Sequence, residues 1–173
     1  MRWLVGGEVL DVDTGTFRRV DVGIDPTTGR VAELGTARPS VDDEVVDLGG
    51  RWLLPGLIDC HVHLTLTTNA GDPMAEASRT DAHVALDTAA AAERTLLAGI
   101  TTVRDVGGWN YVEMAVRDAI RRGIARGPRM FLAGRLLSIT TSTVDYYPGM
   151  YEVADGADAV RAAARRQLAR GAD

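Results

Sequence analysis

Polar and apolar residues alternate along RRVDVGI, residues 18–24, the period-two pattern of a half-buried strand. Pro26-Thr27-Thr28-Gly29 supplies a turn, and RVAEL, residues 30–34, returns as the second arm of a hairpin. EVVDL, residues 44–48, reads as a further strand closed by Gly49-Gly50. No helical period appears in this stretch, so residues 1–51 predict a small β unit.

The pattern changes at Trp52. RWLLPGLID, residues 51–59, is a mostly apolar run, the form expected of one strand covered on both faces. Asp81 to Ala98 is alanine-rich and stops at Gly99, which suits a left-handed helix end. ITTVRDV, residues 100–106, follows as a β-branched strand. Asn110 with Glu113 resembles a capping box, and the helix that follows places Val112, Val116, Ala119 and Ile120 on one face before Gly123. PRMFLAG, residues 128–134, is a third short strand, and Ala157 to Arg170 a helix ending at Gly171. Strands alternating with helices predict an α/β fold with a parallel sheet and right-handed crossovers. From Trp52 on there are three strand-helix units in roughly 120 residues, against about 250 for a closed (β/α)₈ barrel.

Composition narrows the function. At 173 residues, 46% hydrophobic and 25% charged, the chain is an ordinary folded protein. A formal charge of -5 argues against a nucleic-acid partner, which requires clustered positive surface. All 19 basic residues are arginine. Cys60 is the one cysteine, so no internal disulfide forms, which fits a reducing compartment. The N-terminus lacks the apolar run of a signal peptide, and no segment approaches membrane-spanning length. These readings predict a cytoplasmic protein with no membrane partner.

The candidate chemistry lies in LLPGLIDCHVHL, residues 53–64, where His61 and His63 follow an apolar strand. In an extended chain residues i and i+2 point the same way, roughly 6.5–7 Å apart, so two imidazoles there can converge on one ion. Neutral imidazole suits Zn²⁺, at about 2.0–2.1 Å, and other divalent transition metals. Asp59 shares their side and can accept a ring N–H from behind. The competing reading is a pair of exposed loop histidines. Cys60 alternates to the other side with Val62 and reads as a buried small hydrophobe. Asp105 ends the second strand beside Arg104. It either backs the metal site or forms a structural ion pair with that arginine.

PGLIDCHVHL resembles the signature of the amidohydrolase superfamily, whose first barrel strand ends in a His-x-His. The likeness continues through ERTLLAGITTVRDVGG, GPRMFLAGRLLSIT and YEVADGADAVRAAARRQLARGAD, and is similar to the branch of imidazolonepropionase-like and prolidase-like enzymes. The resemblance implies a small β-sandwich segment over residues 1–51 and the first three units of a (β/α)₈ barrel over residues 52–173. It implies that His61 and His63 bind one or two divalent metals, zinc first. The implied reaction is hydrolysis of a C–N bond in a small-molecule amide, cyclic amide or dipeptide-like substrate, with metal-activated water.

The remaining ligands of that family are a lysine on a later strand, two histidines on strands five and six, and an aspartate on strand eight. The chain has no lysine, and His83, at a predicted helix start, reads as a surface residue. Residues 1–173 are therefore expected to be an N-terminal portion, weak in metal affinity and inactive alone. The alternative is a non-catalytic association module, with exposed sheet edges pairing with a complementary chain or a second copy. ITTSTVDYYPGM, residues 139–150, reads as a long loop that could form part of a substrate pocket. Relatives often carry a Gly-His-Gly sequence there, and this chain has Thr141-Ser142-Thr143. Tyr146 and Tyr147 line that pocket or pack.

Overall fold

Asp21 interrupts what the alternation presents as one strand. Its carboxylate accepts the backbone N–H of Gly6 at 3.0 Å and of Ala37 at 2.8 Å. The chain changes sheets there. The structure, a computed structural model, describes residues 1–66 and 78–173. It divides into two units, Met1–Pro55 and Gly56–Asp173.

The first unit holds β1 (Arg2–Val5), β2 (Glu8–Asp11), β3 (Thr16–Arg19), β4 (Asp21–Asp25), β5 (Arg30–Gly35), β6 (Glu44–Asp47) and β7 (Trp52–Leu53). They form two sheets, in the orders β5-β4-β1-β6 and β3-β2-β7. The β4–β5 hairpin is antiparallel, as expected, and Gly29 closes its turn at φ 67° with its N–H on Asp25 O at 2.8 Å. Positive φ at that position suits glycine, which has no Cβ to clash. Trp3 and Val22 are buried, and Asp43 ties the N-terminal ammonium at 2.6 Å and Trp3 Nε1 at 3.3 Å.

The run at 51–59 is not one strand covered on both faces. Trp52–Leu53 pairs with β2, and Trp52 stacks on Phe17 with ring centroids 5.4 Å apart. Pro55, which has no N–H to give a ladder, separates it from β8 (Leu57–Val62). Leu57 and Ile58 are 58% and 67% exposed, because β8 lies at the end of its sheet among the described residues.

The second unit continues with α1 (Asp81–Leu97), β9 (Ile100–Asp105), α2 (Val112–Arg121), β10 (Arg129–Leu132), β11 (Leu136–Ser138), α3 (Thr143–Tyr146), β12 (Tyr151–Val153) and α4 (Ala157–Ala169). Strands β8, β9 and β10 are parallel and adjacent in chain order, with α1 and α2 as crossovers. α1 starts at Thr80, whose hydroxyl accepts His83 N–H, and buries Val84, Thr88 and Ala92, spaced by fours on one face. It ends before Gly99 at φ 92°. One core cluster joins Leu64, Ala92, Val103, Met114, Val116, Met130 and Leu132, and a second joins Val84, Trp109, Val112 and Met150.

Two expectations fail here. Asn110 and Glu113 do not form a capping box: Asn110 and Tyr111 are both left-handed, at φ 50° and 63°, and no side chain caps α2. A residue whose side chain caps the N2 or N3 N–H is typically extended. Asn110 instead bonds Asp81 and Arg135, and Glu113 turns inward. Residues 139–150 are not a plain loop. They carry α3 between two parallel strands, with Leu136 N–H on Met150 O at 2.8 Å and Asp155 accepting Thr140 N–H at 2.9 Å. Among the described residues no helix is long and apolar enough to cross a membrane.

Candidate metal-binding site

The alternation of β8 carries past its last residue, and the rings of His61 and His63 come together edge to face, with centroids 5.4 Å apart and planes at 78°. His63 is half-buried and His61 exposed. His63 Nδ1 lies 2.9 Å from the Gly107 carbonyl oxygen. A carbonyl only accepts, so in the neutral ring Nδ1 carries the proton and Nε2 keeps the lone pair a metal needs. The donor chemistry fits a divalent ion held by these two imidazoles.

Asp105, at the end of β9, sets that carbonyl. It is 1% exposed. Oδ2 accepts Leu64 N–H at 2.8 Å and Oδ1 accepts Gly107 N–H at 3.0 Å. One carboxylate thus joins the residue after His63 to the residue that holds its ring. Burial pushes the Asp105 carboxyl up, against the two amide bonds and His63, which favour the anion. Gly107 leaves no room for a side chain, since a Cβ would stand 2.5 Å from Leu136.

Asp59 stands elsewhere in the network. Its Oδ1 accepts the backbone N–H of His61 at 3.1 Å, and the ring bond expected of it is made, for His63, by Gly107. Arg104 does not pair with Asp105: it is exposed, on the other face of β9, and the aspartate is satisfied by amides. Cys60 is exposed rather than buried, because β8 is an end strand. His83 Nδ1 is 2.9 Å from Thr80 Oγ1 at the start of α1, as a surface residue. Tyr146 is 57% exposed, and Tyr147 packs on the Trp109 cluster.

The sequence pattern placed Glu113 in a helix cap and gave no sign of its burial. It is fully buried, among the described residues no other residue hydrogen-bonds its carboxyl oxygens, and its carboxyl abuts Gly108, where a Cβ would fall 1.9 Å away. Burial raises its pKa to about 7, and Asp105 adds to the rise. The glycine pair at 107–108 was the available signal for a close approach, but it did not say which side chain approaches. Among the described residues no group of three or more His, Cys, Asp or Glu is placed to hold a metal. The candidate donors among the described residues are His61 and His63.

A parallel β/α sheet that presents paired imidazoles past the end of its first strand defines a class, and the chain belongs to the amidohydrolase family, whose sequence profile matches residues 52–173. It is 44% identical over 57 residues to a dihydroorotase of Carboxydothermus hydrogenoformans, which covers 33% of this chain and 13% of that protein. It is 62% identical over 29 residues to an imidazolonepropionase of Hyphomonas neptunium, covering 17% of this chain and 7% of that one. In three dimensions it is similar to a prolidase crystallised with N-methylphosphonate-L-proline, at TM-score 0.82 and 28% identity, over 99% of this chain and 44% of that one. A Xaa-Pro dipeptidase with bound methionine aligns with TM-score 0.82 and 28% identity, over 99% and 45%. The chain thus spans less than half of each of these two solved structures.

Proposed function

We propose that residues 1–173 carry the first metal ligands of a hydrolase that cleaves a C–N bond in a small amide, cyclic amide or dipeptide-like molecule. The observation behind this reading is the His63 Nδ1 bond to Gly107 O, which leaves His63 Nε2 available beside the ring of His61 for one divalent ion, zinc first. The bound ion would supply a Lewis acid that activates water and polarises the scissile carbonyl. His61 and His63 hold it. Asp105 fixes the carbonyl that orients His63, and Asp59 restrains the backbone at His61. The prolidase and dipeptidase likenesses support an amide-type substrate.

In the same reading β8, β9 and β10 open a (β/α)₈ barrel, and the small sheets of residues 1–51 belong to a β-sandwich. The exposed Leu57 and Ile58 on the end strand would be covered by further strands, from this protein or a partner chain. Catalytic zinc sites take three protein ligands, so the 173-residue chain alone should bind metal weakly and turn over little. Zinc titration by calorimetry tests this. Weak binding that disappears in both His61→Ala and His63→Ala supports it. Binding that persists in the double variant rejects the assignment of the two ligands.

A further inference from the structure

Three arginines face one carboxylate around the turns after β9 and β10 and the last turn of α4. Arg135, Arg166 and Arg170 line an open cleft of about 480 Å³ with Asn110, Tyr111 and Glu152. Glu152 is fully engaged: Oε1 accepts from Arg166 Nε at 2.6 Å and Oε2 from Gln167 Nε2. Among the described residues neither Arg135 nor Arg170 reaches a carboxylate. Both guanidinium groups lie over the same ring, that of Tyr111, at 5.3 Å and 4.5 Å from its centroid.

Each cation gains from the ring face, but two like charges sharing one ring repel each other. An anion bound to both would remove that repulsion. Arg166 and Arg170 also answer the negative end of the α4 dipole, which accounts for two of the three cations. It does not account for Arg135, which comes from another element. Arg135 is held in place: its N–H donates to Gln167 Oε1 at 2.9 Å and its guanidinium to Asn110 Oδ1. Among the described residues its buried Nε has no acceptor. In a chain of net charge -5, a concave site with three positive charges against one negative is a local reversal of sign.

We propose that this cleft binds a dianionic oxyanion of the phosphate-monoester class. Guanidinium forks match tetrahedral oxyanions through paired N–H donors. Two positive charges without a carboxylate in direct contact, Arg135 feeling Glu113 only at longer range, face the roughly -1.5 to -2 that a phosphate monoester carries at neutral pH. The site does not depend on the hydrolase reading, and no cleft residue hydrogen-bonds His61 or His63 among the described residues.

The probe is inorganic phosphate, titrated into the 173-residue chain and followed by arginine Nε–Hε resonances, with sodium chloride and succinate series at matched ionic strength. Phosphate should bind saturably and more tightly than succinate. Arg170→Gln and Arg135→Gln should each weaken it about tenfold, the loss of one charge-assisted contact. Arg161→Gln, which removes a partner of Asp158 elsewhere on α4, should leave binding unchanged. A response equal in chloride, tighter binding of succinate, or undiminished affinity in Arg170→Gln overturns the proposal. If Arg135→Gln does not fold, Arg170→Gln decides alone, because its side chain is exposed.

Discussion

Asp105 and His63 do not touch through a hydrogen bond, yet the aspartate governs the histidine from both sides: it holds Leu64 N–H at 2.8 Å and Gly107 N–H at 3.0 Å, and Gly107 O holds the imidazole. The carboxylate therefore acts through backbone. Its effect on metal binding should be separable from its effect on folding.

Asp105→Asn keeps the side-chain volume but turns one acceptor into an NH₂ group facing an amide donor. Zinc affinity should fall by about 10–100-fold, the usual cost of losing a residue that orients a ligand. Calorimetric titration of the folded variant checks this, with circular dichroism as the control. Unchanged affinity would show that Gly107 needs no help from Asp105.

Glu113 should make stability fall with rising pH. Its folded pKa of about 7 lies above the ordinary 4.5, so the native state holds the proton more tightly than the unfolded chain. The stabilisation is complete below pH 4.5 and is lost as pH rises through 7. At 1.36 kcal/mol per unit the full swing is about 3 kcal/mol. Glu113→Gln should abolish this part of the slope and be the more stable form, relative to the parent, at pH 8 than at pH 4.5. Urea unfolding across that range decides; parallel curves for the two proteins would refute the assignment.

A methyl group at Gly108 would overlap the Glu113 carboxyl, 1.9 Å from its carbon. Gly108→Ala should destabilise by about 1–3 kcal/mol, as overpacking does. Removing the obstructing group in Gly108→Ala/Glu113→Ala should cost less than the sum of the two single changes. Strict additivity in a double-mutant cycle would mean that the two residues are not in contact.

Cys60 should react with a thiol reagent in the native chain at a rate near that of the denatured chain, because it is exposed. Protection by several orders of magnitude would show that β8 is covered in solution, by a second copy or otherwise. Light scattering on the same sample would identify a dimer.

Much of the architecture is local and could be read directly. Glycines at 29, 99, 123 and 171 close a turn or end a helix because each takes a positive φ. The shared side of His61 and His63 could be read because an extended chain has a two-residue period, and the family because PGLIDCHVHL and the motifs after it resemble the amidohydrolase signature. The failures share a cause as well. The exposure of Cys60 and the structure within residues 139–150 depend on which strand lies next to which.

His61, His63 and the β/α alternation were determined by the chain itself, since helix and strand periods need only neighbours three, four or two residues away. The tautomer of His63 was not. It depends on a carbonyl 44 residues downstream, positioned by an aspartate 41 residues from Leu64. Contacts at such separations exist only once the strands are laid side by side, which is why tertiary structure alone could specify them.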